Sequence, residues 1–347
     1  MRTLPFPAAL VVCGLLGLAA AFYGNWSGLG GRSFAVSLAV LLALLAGQIL
    51  LASAGLAERA AERLGKFGAL VCVFVPLSVY AAYAAATGTT TAGWMLAMAA
   101  YTLTPALLLA SVRGQRAGTW ADYAAALTLW LPVEFRWLEG AWAASGEFRH
   151  LLTTLLAVNT AIASFLLLRR LDGVGYSLGW GPRWGRIIVG HFAIFAVLAI
   201  PLGLALGFLA WQPNPERLSL LPVTLVATLL FTAWPEELLF RGLLQNFLEK
   251  SLRGPQAGLI AGAVVFGLAH INNLGFPNWR YVLLATLALA SVFILRNLAT
   301  TRRRNLFEIQ APIQKPFEIA GAVTMMAWFI WPWLSPWLTP WLSLLHW

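Results

Sequence analysis

Charged side chains are scarce in this sequence. Asp, Glu, Lys and Arg make up 10% of its 347 residues, against about 25% in an average soluble protein. Hydrophobic residues make up 60%, and the mean hydropathy is +0.77. A soluble chain of this length could not bury so much apolar surface. The composition therefore excludes a soluble enzyme, a disordered scaffold and a secreted disulfide-rich domain.

Cysteine is also scarce, since Cys13 and Cys72 are the only two and both lie inside apolar runs. Two such thiols support neither a disulfide framework nor a thiolate metal site. The sequence also lacks a P-loop and a dinucleotide-binding fingerprint. Phosphate-binding chemistry of these two kinds is therefore not expected.

The sequence is rich in continuous apolar runs of about 20 residues, the length that spans a bilayer. Because the runs do not alternate with polar residues, a membrane β-barrel is excluded. We predict an all-α polytopic transmembrane helical bundle, embedded in lipid. Its fifth segment carries Glu134 and Arg136 and is followed directly by Glu139, so it could instead be re-entrant or interfacial. The eleven segments are 5–23, 34–55, 67–87, 92–112, 121–138, 147–168, 187–210, 219–248, 256–271, 281–298 and 319–338.

The net charge of +10 is interpreted as loop charge that sets orientation in the membrane, so no nucleic-acid partner is expected. Basic residues concentrate in every second loop, which predicts a multi-pass protein of the plasma (inner) membrane with a cytoplasmic N-terminus. The loops assigned to the cytoplasm hold Arg59, Arg63, Lys66, Arg113, Arg116, Arg169, Arg170, Arg183, Arg186, Lys250, Arg253, Arg302, Arg303, Arg304 and Lys315.

Ionisable residues inside two neighbouring apolar segments mark a candidate site, because charge in hydrocarbon is costly and usually functional. The eighth segment carries Glu236, Glu237 and Arg241, and the ninth carries His270 near its end. Glu237 and Arg241 are four residues apart, so they share a helix face and can pair. Glu236 is rotated by about 100° from Glu237 and points elsewhere.

Equal spacing from the turn between these segments predicts that Glu236 and His270 meet. The turn centres on Arg253, and each residue lies seventeen positions from it. At the α-helical rise, both stand about 25 Å from the turn. A carboxylate beside an imidazole can activate a water or form part of a zinc site. The alternative is a buried ion pair together with a histidine that only caps its helix.

Glu236-Glu237-Leu-Leu-Phe-Arg241 resembles the EExxxR motif of the CPBP family, the CAAX prenyl endopeptidases and bacteriocin-processing membrane proteases. Phe266-Gly-Leu-Ala-His270 resembles its second motif, FxxxH. The resemblance implies an intramembrane endopeptidase that hydrolyses a membrane-associated peptide or protein. In this family the first Glu and the His activate the attacking water, which casts Glu236 and His270 as catalytic and Glu237, Arg241 and Phe266 as supporting.

The family's third motif, HxxxN or HxxxD, has no counterpart here, since the next histidine after His270 is His346. Asn273 is a candidate hydrogen-bond donor to an oxyanion in its place. The alternatives are a catalytically impaired homologue that binds peptides or confers bacteriocin immunity, and, third, a transporter. The cofactor stays undetermined: zinc could bind Glu236 and His270, but the sequence offers no full ligand set.

The chain divides into four predicted regions. Residues 1–170 form an N-terminal transmembrane region, and 171–186 form a linker rich in Gly, Trp and Arg. Residues 187–300 form the CPBP-like protease core. Residues 301–347 form a divergent tail that is first polar and then rich in Trp and Pro.

The loop charges make a direct prediction about membrane orientation. Reporter fusions placed after Lys66 and after Arg253 should both report a cytoplasmic location, because both loops are basic. Opposite locations for the two fusions would contradict the count of segments between them.

Overall fold

A computed structural model gives the structure of most of the chain. It describes residues 5–26, 31–144, 146–171, 173–174, 184–207, 209–210, 221–272 and 276–287. The described residues form helices and the turns between them, with no strand among them. This confirms the all-α prediction. The eleventh predicted segment, Asn273 and the tail 301–347 lie outside the described residues, as does most of the predicted linker.

The chain separates into two compact units. The first unit comprises residues 1–179 and 242–251, and the second comprises residues 180–241 and 252–347. The first unit contains α1 (Pro5–Trp26), α2 (Arg32–Leu51), α3 (Ala54–Thr87), α4 (Ala92–Ala110), α5 (Trp120–Glu134) and α6 (Glu147–Ala161), which continues as the π-helix Ile162–Leu168.

Four helices of the first unit are long and apolar enough to cross a membrane: Arg32–Leu51, Phe67–Thr87, Ala92–Ala110 and Glu147–Leu168. The structure also has two shorter apolar helices, Phe6–Ala21 in the first unit and Pro255–Ala269 in the second. Helices suit this environment because they satisfy their own backbone hydrogen bonds. The protein is therefore a membrane protein, while the full count of eleven segments stays a prediction.

The helix α6 with its π-helical continuation is the core of the first unit. Of an apolar stretch of 18 residues in this span, 83% is buried, against 33% in each of the other three spans. It packs against α2, α3, α4 and α5. Asn159 joins it to α2 by donating hydrogen bonds to the carbonyls of Leu44 and Leu155, both at 2.8 Å. Gly47 leaves the space that the amide of Asn159 fills.

The fifth predicted segment, 121–138, ends earlier than expected. Helix α5 has 15 residues and stops at Glu134, which gives it a length of about 22 Å, less than the hydrocarbon thickness of about 30 Å. Arg136 then adopts a left-handed backbone with φ 55°. It pairs with Glu147 at 2.8 Å and with Glu139 at 3.5 Å. Arg136 therefore lies in the turn after α5, and Glu139 begins a short 3-10 helix, Glu139–Ala141.

The second unit contains α7 (Trp184–Ala205) and the helices that carry the predicted site. The motif helix, residues 221–251, begins in the second unit and ends in the first. The histidine helix, Pro255–Ala269, follows it. A further helical stretch, 279–287, is described as far as residue 287 and corresponds to the start of the tenth predicted segment.

A buried ion pair joins the residue after the π-helical continuation of α6 to the first turn of α5. Arg169 Nε lies 3.1 Å from Asp122 Oδ1, and the two side chains are 3% and 0% exposed. Arg169 also donates to the carbonyls of Gln115 at 3.0 Å and Arg116 at 3.2 Å. Asp122 Oδ2 accepts from the backbone N–H and the hydroxyl of Thr119. Both charges are thereby surrounded by hydrogen-bonding partners, which burial requires.

Replacing Asp122 should strongly destabilise the protein. Asp122→Ala leaves the Arg169 guanidinium buried without its counter-ion, an effect of about 3–5 kcal/mol. Arg136→Ala is the matched control, because its pair with Glu147 is exposed, with side chains 50% and 74% accessible, and such pairs contribute at most about 1 kcal/mol. Denaturant unfolding in detergent measures both. Equal losses in the two variants would contradict the structural role of the buried pair.

Candidate active site

The motif helix alternates between α- and π-helical backbone around its acidic pair. Its successive parts are Leu221–Thr228 (α), Leu229–Ala233 (π), Trp234–Glu236 (α), Glu237–Gln245 (π) and Asn246–Ser251 (α). Pro235 gives a reason for the first π-helical part. It has no N–H to donate to the carbonyl of Phe231, and its ring crowds that carbonyl. Such widened turns occur often at functional sites.

Glu237 and Arg241 form the ion pair that their spacing predicts. Arg241 Nη1 lies 3.2 Å from Glu237 Oε2, and the side chains are 11% and 12% exposed. The pair compensates two charges that would otherwise be costly in an apolar setting. Glu236, the preceding residue, is partly buried and ends the short α-helical part between the two π-helical stretches.

Phe240 and Phe266 join the motif helix to the histidine helix. Their rings meet edge to face with centroids 5.0 Å apart, and both side chains are buried, at 4% and 3% exposure. Each residue lies thirteen positions from Arg253. At this contact the two helices are therefore at equal sequence distances from the turn that joins them. Glu236 and His270 each lie four residues farther from the turn, one helical turn beyond the contact.

His270 is held in one orientation at the end of its helix. It is the residue that follows Ala269, and its ring packs on Phe266 with centroids 4.6 Å apart. Its Nδ1 lies 2.8 Å from the carbonyl oxygen of Phe266. Because a carbonyl only accepts, Nδ1 is the donor, and in the neutral ring the lone pair is on Nε2. Nε2 can therefore accept a proton or bind a metal.

The stretch 279–287 packs closely against the histidine helix. A Cβ added at Gly267 would overlap Thr286 Oγ1 and lie 2.6 Å from the carbonyl oxygen of Val282. The Asn278 N–H donates to the carbonyl of Ile271 at 2.8 Å, which ties the start of this stretch to the end of the histidine helix. Thr286 thus lies beside Gly267, about one helical turn before His270.

The described residues show two contacts among the predicted site residues: Glu237 contacts Arg241, and Phe266 contacts His270. Glu236 lies on the turn of the motif helix that precedes Phe240. Within the described part of the chain, no three His, Cys, Asp or Glu side chains are grouped closely enough to hold a metal ion. A three-ligand zinc site does not fit these residues.

Two residues of the site were not singled out from the sequence. Phe240 has the same separation from Arg253 as Phe266, so the turn-centred spacing that paired Glu236 with His270 could have found it. Gly267 carries no comparable signal, because its role depends on how closely residues 279–287 approach.

The comparison with known protein families agrees with the motifs. Residues 218–306 match the family of type II CAAX prenyl endopeptidases described as Rce1-like. The match covers the motif helix, the histidine helix and the stretch 279–287. The predicted resemblance to CPBP membrane proteases is therefore confirmed over this part of the chain. No curated protein and no solved structure matches the chain significantly.

The close packing at Gly267 makes a prediction about stability. Gly267→Ala should destabilise the second unit by about 1–3 kcal/mol, because the added methyl group forces the stretch 279–287 away. Gly190→Ala is the matched control, since that glycine also lies in a helix of the second unit and a Cβ there meets nothing within 4 Å. Thermal unfolding in detergent compares them. A tolerated Gly267→Ala would show that the two helices do not pack this closely.

Proposed function

We propose that this protein is an intramembrane endopeptidase in which Glu236 and His270 activate the attacking water. The contact between Phe240 and Phe266, at 5.0 Å between ring centroids, carries the proposal. The contact joins the motif helix and the histidine helix at equal distances from the loop that connects them. One helical turn farther from that loop, the motif helix carries Glu236, and His270 directly follows the histidine helix. The match of residues 218–306 to a peptidase family is independent support.

The proposed reaction uses the side chains of this chain as acid and base. The Glu236 carboxylate takes a proton from a water while the water oxygen attacks the carbonyl carbon of the scissile peptide bond. His270 Nε2 accepts a hydrogen bond from the same water and orients it. The proton then passes from Glu236 to the nitrogen of the leaving amine, and the C–N bond of the tetrahedral intermediate breaks.

The neighbouring ion pair suits a supporting role in this scheme. With Arg241 at 3.2 Å from Glu237, its positive charge is directed to the second glutamate, while Glu236 is the residue before it on the helix. This pair can therefore hold the motif helix in place while Glu236 acts as the proposed base.

A membrane-associated peptide or protein is the proposed substrate. The proposed location is the plasma membrane, with the N-terminus in the cytoplasm, an orientation that the loop charges favour. A catalytically impaired homologue that binds such a peptide is the second candidate. One observation favours it: after His270 the sequence contains no HxxxN or HxxxD motif. Losing an oxyanion donor lowers the rate by about 100-fold or more.

Replacing Glu236 should abolish cleavage. Glu236→Gln keeps the shape of the side chain but removes the base, which should lower the rate by about 100-fold to 10,000-fold. Glu249→Gln is the matched control: it lies on the same helix, about 20 Å away along the axis, and its Oε1 only accepts a hydrogen bond from Gln245. New peptide termini in membranes that contain each variant are counted by mass spectrometry.

Termini that depend on the wild-type protein should disappear with Glu236→Gln and persist with Glu249→Gln. Cleavage that survives Glu236→Gln would exclude the proposed mechanism. Membranes in which the wild-type protein generates no new termini would favour the peptide-binding homologue.

A further inference from the structure

The C-terminal end of the motif helix is packed inside the first unit. Residues 242–251 belong to that unit, although the helix begins in the second. We infer that the first unit positions the motif helix for the proposed peptidase reaction, and that Gly118 is the contact point through which it does so. This inference rests on the proposed function and assigns a role to the N-terminal region.

Aromatic packing holds this helix end from one side. Phe247 is 0% exposed. Its ring meets that of Tyr123 in α5 edge to face, with centroids 5.5 Å apart. It also meets the ring of Phe165, in the π-helical continuation of α6, at 5.7 Å. A fully buried aromatic anchored between two other helices restricts both rotation and tilt of the helix that carries it.

Hydrogen bonds hold the last residue of the same helix. Ser251 Oγ donates to the carbonyl of Gly118 at 3.1 Å. Tyr123 Oη lies 2.9 Å from Ser251 Oγ. Since the single hydroxyl proton of Ser251 is directed to the carbonyl, the Tyr123 hydroxyl is the donor in this contact. The helix end is thus attached both to α5 and to the loop that precedes it.

That loop is itself rigidly held by the buried ion pair. The backbone N–H of Gly118 donates to Asp122 Oδ2 at 3.0 Å. Arg169 bonds Asp122 and two carbonyls of the same loop. A continuous series of contacts therefore runs from Arg169 through Asp122 and Gly118 to Ser251.

Gly118 allows the close approach between the loop and the helix end. Its φ is +89°, a left-handed conformation that favours glycine. A Cβ there would lie 2.7 Å from Ser251 Oγ and 2.8 Å from the carbonyl oxygen of Phe247. Because one of these atoms belongs to the backbone, a rotamer change of Ser251 cannot remove the overlap. Any larger residue must displace the helix end.

Displacement at this end would be transmitted along the helix to the proposed base. Glu236 lies fifteen residues from Ser251, about 22 Å along the axis at the α-helical rise. A misplacement of about 1 Å at a reacting group can lower the rate about 100-fold. Gly118, Tyr123 and Ser251 are therefore positioning residues, which act on catalysis through the helix rather than by touching substrate.

A pair of glycine variants isolates this contact. Gly118→Ala introduces both backbone strain and the overlap with the helix end. Gly114→Ala, in the same loop, introduces comparable strain at φ +82°, but a Cβ there meets nothing within 4 Å. Hydrogen–deuterium exchange of the full chain in nanodiscs measures protection of residues 246–251 and of the core helix α6. A synthetic peptide that spans a Glu236-dependent cleavage site measures kcat and KM.

Gly118→Ala should raise exchange at residues 246–251 about 10-fold, leave α6 protected, and lower kcat at least about 10-fold with unchanged KM. Gly114→Ala should change neither exchange at the helix end nor kcat.

Exchange that rises throughout the first unit would assign Gly118 a purely structural role and overturn the inference. A loosened helix end with unchanged kcat would overturn it while the proposed function stands. If no cleavage depends on Glu236, the proposed function fails, and unchanged protection at residues 246–251 in Gly118→Ala would overturn the contact separately.

Discussion

In an apolar environment every charge needs a partner within the protein, and this constraint organises both units. Asp122 and Arg169 are 0% and 3% exposed and bond each other and the neighbouring loop. Glu237 and Arg241 compensate each other within one helix. Because breaking a buried pair is far costlier than losing an exposed one, the few charges in this sequence fix helix ends and helix faces.

The same constraint acts on the backbone and explains why irregular helix is found beside the acidic motif. Pro235 removes one N–H from the ladder of a buried helix. A π-helical stretch, Leu229–Ala233, ends two residues before Pro235. The second π-helical stretch, Glu237–Gln245, begins at the paired glutamate. Glu236 thus lies on a short α-helical turn between two widened segments, in a backbone unlike that of an ordinary spanning helix.

The sequence predicted those features that depend on local spacing. Apolar runs predicted an all-α fold, and the four-residue spacing of Glu237 and Arg241 predicted their ion pair. The end of α5 was placed too late, because the run 121–138 gives no local sign that Arg136 adopts a left-handed backbone. The role of Gly118 was also beyond prediction: its φ and its contact with the motif helix arise from tertiary packing between residues 133 positions apart.

The motif helix is fixed at Phe240 and at its C-terminal end, which bears on the choice between an enzyme and a peptide-binding homologue. Binding a peptide tolerates small shifts of the residues that touch it, whereas catalysis requires reacting groups to be placed within about 0.5 Å. Here the helix is anchored at Phe240 by a buried aromatic partner and at Ser251 by two hydrogen bonds. The loop at Gly118 depends on the buried Asp122–Arg169 pair, whose desolvation must be compensated by the surrounding hydrogen bonds. Holding the motif helix at these two points suits the precise placement that the proposed enzyme requires.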